Sequence, residues 1–338
     1  MTIEDRKALQ RWEEHHRALA ADVPVDDSLS KRDIEKMRAR LEKDPVEWIR
    51  YFFPKYAEYP FAPFHVRAIH RIVDNPEWYE VLSWSRELAK STVAMFVLMY
   101  LALTGRKKFI VLASATKDSA GRLIAPFKIN FESNPRIRQF YGEQVTLGAW
   151  TDTEFTCRCG AKFIALGAGS APRGARNENV RPDVIYMDDY DTDEDCRNPD
   201  TLKKKWDWFE GALYPTRSIS EPTLILWCGN IIAKDCCIRR AGEKASHWDI
   251  VNIRDKNGHS TWPQKNTEKQ IDTVLGNIST KNAQAEYFNN PVSDGDIFRN
   301  LPFGKVPPLR KFKFLVIYGD PAYSNTRKKA TSTKAVWL

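Results

Sequence analysis

An α/β domain, built on a mostly parallel central sheet flanked by helices, is the fold this sequence predicts. Three observations carry that reading. Short apolar runs at Val81–Ser85, Phe109–Ala113, Phe163–Leu166, Val184–Met187 and Thr223–Cys228 have the length of buried strands. Helical patterns separate these runs, and strands joined through helices lie side by side in parallel. Two of the runs end in polar pairs, Asp188-Asp189 and Gly229-Asn230. A buried strand presents side chains in this way at its carboxyl tip, where ligands collect in α/β sheets.

Around this sheet the chain divides into segments. Residues 1–50 are rich in Arg, Lys, Glu and Leu with helical periodicity, and predict an N-terminal helical segment broken near Val23-Pro24 and Asp44-Pro45. An aromatic, proline-bearing stretch, YFFPKYAEYPFAPFHVRAIHRI, opens the main domain, expected over 51–300. From about 247 the sequence turns polar and loop-rich, as a lid or closing region does. Lys305-Val306-Pro307-Pro308-Leu309 marks a linker over 301–311. A new strand, Phe312–Tyr318, then opens a further domain over 312–338.

Composition excludes several classes. Apolar residues are 42% and charged residues 28% of 338, close to a globular average. The longest apolar stretch, Val93–Leu103, is too short to cross a bilayer, so no membrane partner is expected. The opening MTIEDRKALQRWEEHH is charged and has no signal-peptide core, which points to an intracellular protein. A net charge of +8 and a pI near 9.0 are compatible with a polyanionic partner such as DNA. The six cysteines fit neither a disulfide scaffold nor a zinc ribbon, and Cys157-Arg158-Cys159-Gly160 reads as a turn.

The most informative local segment is VLSWSRELAKSTVAMFVLMYLAL. A strand leads into a short loop, then Lys90-Ser91-Thr92, then an apolar helix. Amides at such a helix start point toward a phosphate, aided by the helix dipole. Lys90 can reach the β and γ phosphates of a nucleotide, and the Ser91 hydroxyl can ligate Mg²⁺. The usual pattern, GxxxxGK[ST], has glycines where this chain has Trp84 and Ala89. Alone, the segment is therefore equally compatible with an ordinary strand–helix turn. The run VIYMDDYDTDED adds Asp188, placed to hold Mg²⁺, and Asp189, placed to orient or deprotonate a water. Asp191 to Asp195 read as a solvated acidic turn. The interval from Lys90 to Asp188 leaves room for an extra strand, supplied by Phe109–Ala113. TLILWCGNII ends in Gly229-Asn230, where an amide could sense a γ-phosphate.

In this order the segments resemble the large terminases of tailed bacteriophages. SRELAKST is similar to their deviant Walker A loop, IYMDD to their Walker B strand, and WCGN to the coupling motif that follows. APFHVRAIHRI resembles the adenine-side segment, GAGSAPRGARNENVRPDVIYMDD the glycine- and arginine-bearing stretch before Walker B, and STWPQKNTEKQIDTVLGN with AEYFNNPVSDGDIF the closing ATPase region. The likeness spans roughly residues 45–325.

The resemblance implies a P-loop ATPase of the ASCE type with ATP and Mg²⁺ as cofactors. Ser85, Arg86, Glu87, Leu88, Ala89, Lys90, Ser91 and Thr92 would form the ATP loop, with Arg86 beside the nucleotide. Ser91 and Asp188 would serve Mg²⁺. Asp189 stands where the family has a catalytic glutamate. Phe64 and His65 would flank the adenine, a packed core histidine being the alternative. Gly229 and Asn230 would couple γ-phosphate loss to movement. Arg173 or Arg176 would be an arginine finger reaching a neighbouring subunit, or else part of a mobile surface loop. KFKFLVIYGDPAYS resembles the first strand of the family's ribonuclease-H-like nuclease, with Asp320 as its first metal-binding carboxylate. Its partner acids would come later than Leu338, so no DNA cleavage is expected of this chain. The implied function is ATP-driven translocation of double-stranded DNA into a procapsid, in the host cytoplasm. The implied partners are the portal protein, a small terminase subunit and further copies of the chain in a ring. Two alternatives remain at this stage: a superfamily-2 helicase, and a non-hydrolysing portal adaptor with a degenerate nucleotide site.

Overall fold

The computed structural model describes residues 23–172 and 180–292, together with two short strands at Tyr318–Asp320 and Ala335–Trp337. The chain divides into two compact units, 1–293 and 294–338.

The first unit is organised by a seven-stranded sheet in the order β3-β4-β2-β5-β6-β1-β7. Its strands are β1 (Trp78–Trp84), β2 (Phe109–Ser114), β3 (Glu154–Thr156), β4 (Lys162–Gly167), β5 (Val184–Asp188), β6 (Leu224–Cys228) and β7 (His247–Val251). All neighbouring pairs run parallel except the edge pair β3–β4. Phe109–Ala113 does follow the Lys90 segment in sequence, but in space β2 lies beyond β5. The strand standing between the lysine strand β1 and the carboxylate strand β5 is β6.

Both faces of the sheet are buried, which explains the continuous apolar runs. Leu82, Ile110, Leu112, Tyr186 and Leu226 enter one core, whereas Val81, Val111, Ile185, Met187 and Trp227 enter the other. Consecutive residues thus alternate between two cores, as strand geometry requires. On the first face, α4 (Lys90–Leu103) is buried at every position from Val93 to Leu103. It is covered by α2 (Pro45–Phe52) and α3 (Pro63–Asp74), with α1 (Lys31–Leu41) packed against α2. Phe53 stacks on Phe96 at 4.4 Å, and Trp48 meets Tyr100 edge-on at 5.2 Å. The described N-terminal helices are therefore part of the main core. The boundary expected at 50/51 falls inside α2. The break at Asp44-Pro45 is present, with Asp44 capping α2 and Pro45 as its first residue.

The second face is closed by α8 (Pro199–Trp208) and α9 (Cys237–Lys244), after the short α7 (Asp193–Arg197). Between β2 and β3 lie α5 (Lys117–Ser133) and α6 (Pro135–Tyr141), and after β7 come α10 (Glu268–Gly276) and α11 (Thr280–Phe288). β7 begins where the sequence predicted a lid. It is an edge strand with Ile250 47% exposed, so it lacks the apolar run that marks its neighbours. Cys157–Ala161 forms the β3–β4 turn, closed by Gly160 N–H to Cys157 O and Cys157 N–H to Ala161 O. Among the described residues no helix is long and apolar enough to span a membrane.

In the second unit, β8 (Tyr318–Asp320) pairs antiparallel with β9 (Ala335–Trp337). Of the strand expected at Phe312–Tyr318, Tyr318 opens β8, and residues 312–317 lie outside the described residues. The linker 301–311 lies outside the described residues.

Candidate functional site

The site is built at the carboxyl tips of β1, β5 and β6. β1 stops at Trp84, and residues 85–89 turn the chain into α4. Ser85 N–H donates to Val251 O at 2.8 Å, fixing the loop to the end of β7. Glu87 and Ala89 adopt left-handed backbone, with φ of 69° and 58°. Ala89 therefore holds the conformation for which a glycine would be chosen, while Trp84 is an ordinary buried strand residue. An L-residue in this region is strained by roughly 1–2 kcal/mol. Ala89→Gly is expected to keep the fold and raise the unfolding free energy by up to about 1 kcal/mol, with Ala89→Val lowering it, in denaturant titrations. The first intrahelical bond of α4 is Val93 N–H to Ala89 O. The N–H groups of Lys90, Ser91 and Thr92 precede it and form an anion-facing helix start.

Side chains from all three strand tips meet here. Ser91 Oγ donates to Asp188 Oδ1 at 2.9 Å, and Lys90 Nζ donates to Asn230 Oδ1 at 2.8 Å. Burial pushes the Asp188 carboxyl up to about 7 and the charge of Asp189 adds to this, with Lys90 and Ser91 pulling the other way. Asp189 is exposed, has φ of 40°, and among the described residues its carboxylate makes no hydrogen bond or ion pair. A cavity of about 420 Å³ is lined by Ser91, Thr92, Asp188, Asp189 and Arg122, with Met95 and Phe127 as apolar wall. A second, of about 300 Å³, is lined by Arg86, Lys90, Asp189, Gly229, Asn230 and Glu286. Asp189 borders both. A Cβ on Gly229 would lie 2.9 Å from Ile238 Cδ1, so packing against α9 favours glycine there.

Of the acids expected in a solvated turn, Asp193 and Glu194 are exposed, but Asp191 and Asp195 hold structural partners. Asp191 is half-buried and accepts from the N–H groups of Cys237 and Ile238, both at 2.8 Å, at the start of α9. Asp195 pairs with Lys205 at 2.7 Å, and Lys205 also donates to Tyr190 O. Lys205 is thus a buried structural lysine, whereas its neighbours Lys203 and Lys204 are exposed.

Glu286, which sequence reasoning did not single out, ties the site together from α11. Its backbone oxygen accepts from Asn230 Nδ2 at 2.5 Å and from Arg86 N–H at 3.0 Å. Its carboxylate pairs with Arg86 at 2.5 Å. Asn289, which ends α11 at φ of 48°, donates to Ser83 O at 2.9 Å and accepts from Ile231 N–H at 3.0 Å. An asparagine closing a helix was the available sequence signal, but nothing local says which strand it binds.

Phe64 and His65 lie on the other side of the loop, and neither lines the two cavities. His65 is fully buried. Its Nδ1 accepts from Ala62 N–H at 3.0 Å, which leaves Nε2 to donate to Leu88 O at 2.9 Å. Phe64 packs against His65 at 4.0 Å and Trp84 at 4.9 Å. This is the geometry of a core histidine that holds the loop from beneath. Burial pulls its pKa down from 6.5 to about 4, partly opposed by the Leu88 bond and aided by Lys265. A depressed histidine contributes stability that is present above 6.5 and lost as pH falls toward 4. The loss amounts to about 3 kcal/mol in unfolding free energy, and His65→Gln should show none of it. Equal pH slopes for the two chains would contradict this role. Arg173 and Arg176 lie outside the described residues. Asp320 falls in β8 of the second unit.

The strand order defines an α/β fold, and its polar cluster lies at the carboxyl tips, where such sheets bind ligands. No protein-family model matches the sequence, and no curated protein matches it. Among solved structures, the chain is similar to the HK97 bacteriophage large terminase, with a TM-score of 0.51 and 14% identity over 74% of this chain. It covers 55% of that chain, so it spans about half of the HK97 protein. A mutant ATPase domain of the Thermus phage P74-26 large terminase gives a TM-score of 0.42 and 14% identity, over 67% of this chain and 92% of that one. The fold is thus the one found in the HK97 large terminase.

Proposed function

We propose that this chain is the ATP-hydrolysing part of a tailed-phage terminase large subunit, which drives double-stranded DNA into a procapsid. The observation that carries the reading is the meeting of Lys90, Ser91, Asp188 and Asn230 at three neighbouring strand tips. In this reading Lys90 exchanges Asn230 for the β and γ phosphates of ATP, and the amides at the start of α4 cradle them. The donors fit Mg²⁺: a hydroxyl and a buried carboxylate 2.9 Å apart are hard oxygen ligands, and burial disfavours the carboxylate charge unless a cation offsets it. Mg²⁺ held at Ser91 and Asp188 would neutralise charge on the phosphates. Asp189 orients the attacking water from its place between the two cavities. Asn230, freed from Lys90, passes the loss of γ-phosphate to α11 through Glu286.

Arg173 or Arg176 is proposed as the charge-stabilising finger offered to a neighbouring copy in a ring on the portal protein. A small terminase subunit would select the DNA in the host cytoplasm. Asp320 is proposed as one metal-binding carboxylate of a ribonuclease-H-like nuclease, which cuts only with further carboxylates beside it. The test is ATP turnover by the chain assembled with portal and double-stranded DNA. Turnover should require Mg²⁺ and fall at least about a hundredfold in Asp188→Asn. Hydrolysis indifferent to both would end the reading.

A further inference from the structure

Beneath the polar cluster lies a buried group with no partner. Tyr186 is fully sealed from solvent, and its hydroxyl makes no hydrogen bond among the described residues. Protein interiors rarely leave a polar atom in this state, because it gives up its bonds to water and gains nothing in exchange. A phenylalanine would fill the same space without that cost. The retained oxygen points to a role that the ligand-free fold does not display.

Strand geometry places the hydroxyl. Side chains two apart on a strand share a face, so Tyr186 and Asp188 of β5 lie on the same side of the sheet. That side is the one α4 covers, because Tyr186 enters the core that contains Val93 to Leu103. Cys228, across the ladder from Asp188, enters the same core. Burial pushes the Tyr186 phenol well above its usual range, and the charge of Asp188 adds to this, so the phenol keeps its proton. The phenol acts on Asp188 in turn: burial raises that carboxyl, and the Tyr186 hydroxyl joins Lys90 and Ser91 in opposing the rise. It is near enough to pull on the carboxyl without being bonded to it.

Asp188 has an oxygen to offer. Ser91 Oγ donates to Oδ1 at 2.9 Å, whereas Oδ2 accepts no hydrogen bond among the described residues. Cys228 competes poorly for the phenol, since a thiol is a weak acceptor and this one donates to Lys90 O at 3.9 Å. A carboxylate that ligates a metal is ordinarily held by a hydrogen bond from a further group, which fixes its orientation. A charged acceptor also makes the stronger bond.

We infer that Tyr186 is a positioning residue for Asp188, its O–H donating to the second carboxylate oxygen when that side chain holds Mg²⁺. The inference rests on the motor reading, which supplies the metal at Ser91 and Asp188. Tyr186 itself touches neither metal nor nucleotide.

Calorimetric titration of the chain with ATP, once with Mg²⁺ and once with a chelator in its place, tests it by measuring how much the metal strengthens binding. Tyr186→Phe should cut that strengthening about tenfold and leave the affinity for metal-free ATP unchanged. Without nucleotide it should melt at or above the native temperature, because only an unpartnered oxygen is lost. Tyr79→Phe is the control: its hydroxyl is likewise buried and unpartnered among the described residues, but lies near the start of β1, and its loss should leave the metal effect at the native level. The proposal is overturned if Tyr186→Phe keeps the native metal effect, weakens ATP equally with and without Mg²⁺, or melts below the native chain, or if Tyr79→Phe lowers the metal effect as much. In each of those results the motor reading stands. A native chain that binds ATP no better with Mg²⁺ than without it fails the motor reading, and this inference with it.

Discussion

Lys90→Ala should reduce ATP turnover by about three orders of magnitude. A cation aimed at charge that builds up on the transferring phosphoryl group, in a site shielded from bulk water, acts far more strongly than in solution. Lys90 is the first residue of α4 and its amine already lies at the strand tips, 2.8 Å from Asn230. The substitution removes that cation without disturbing the core, because the buried face of α4 begins at Val93. Thermal unfolding should therefore move little, by the roughly 1 kcal/mol that one charge-assisted hydrogen bond contributes. Turnover within a factor of two of the native chain would remove Lys90 from the site.

Asp189→Ala should lower kcat by a factor of about 10²–10⁴ while changing ATP affinity far less, since a water-orienting carboxylate acts on the chemical step. Asp189 borders both cavities and has no hydrogen-bonded partner among the described residues, so its carboxylate is available to a water. Its backbone explains the residue type. At φ of 40° the backbone lies in the left-handed region, which aspartate occupies several-fold more often than most residues with a side chain. Asp189→Glu should thus fold less stably by about 1 kcal/mol and regain only part of the rate. Equal loss of affinity and rate in Asp189→Ala would make the residue a binding group instead.

Much of this architecture was legible before any coordinates. The five apolar runs are strands, with ends displaced by a residue or a few. Two-sided burial writes a strand as unbroken apolar sequence, and β2, β4, β5 and β6 have it. β1 starts earlier than expected, at Trp78, because a buried Glu80 interrupts its pattern. That glutamate is satisfied by Arg71 and the Trp78 indole, partners a linear pattern does not reveal. The edge strands β3 and β7 were illegible for the opposite reason, being short or half solvated. At the site, the residue types of Lys90, Ser91, Asp188 and Asn230 and their places at element ends were readable. Glu286 was not, because its contact with Arg86 arises where α11 folds back onto the loop from 200 residues away.

The position of β6 has one more consequence. Strands stand about 4.8 Å apart, so the lysine strand and the carboxylate strand are held about 10 Å from each other with Asn230 on the rung between. β6 is hydrogen-bonded to β1 from Trp78 to Leu82 and to β5 from Val184 to Asp188. A pull on Asn230 cannot be absorbed locally, for it loads two ladders in the same direction at once. The middle strand behaves as a shared axle: whatever tugs its tip turns both wheels.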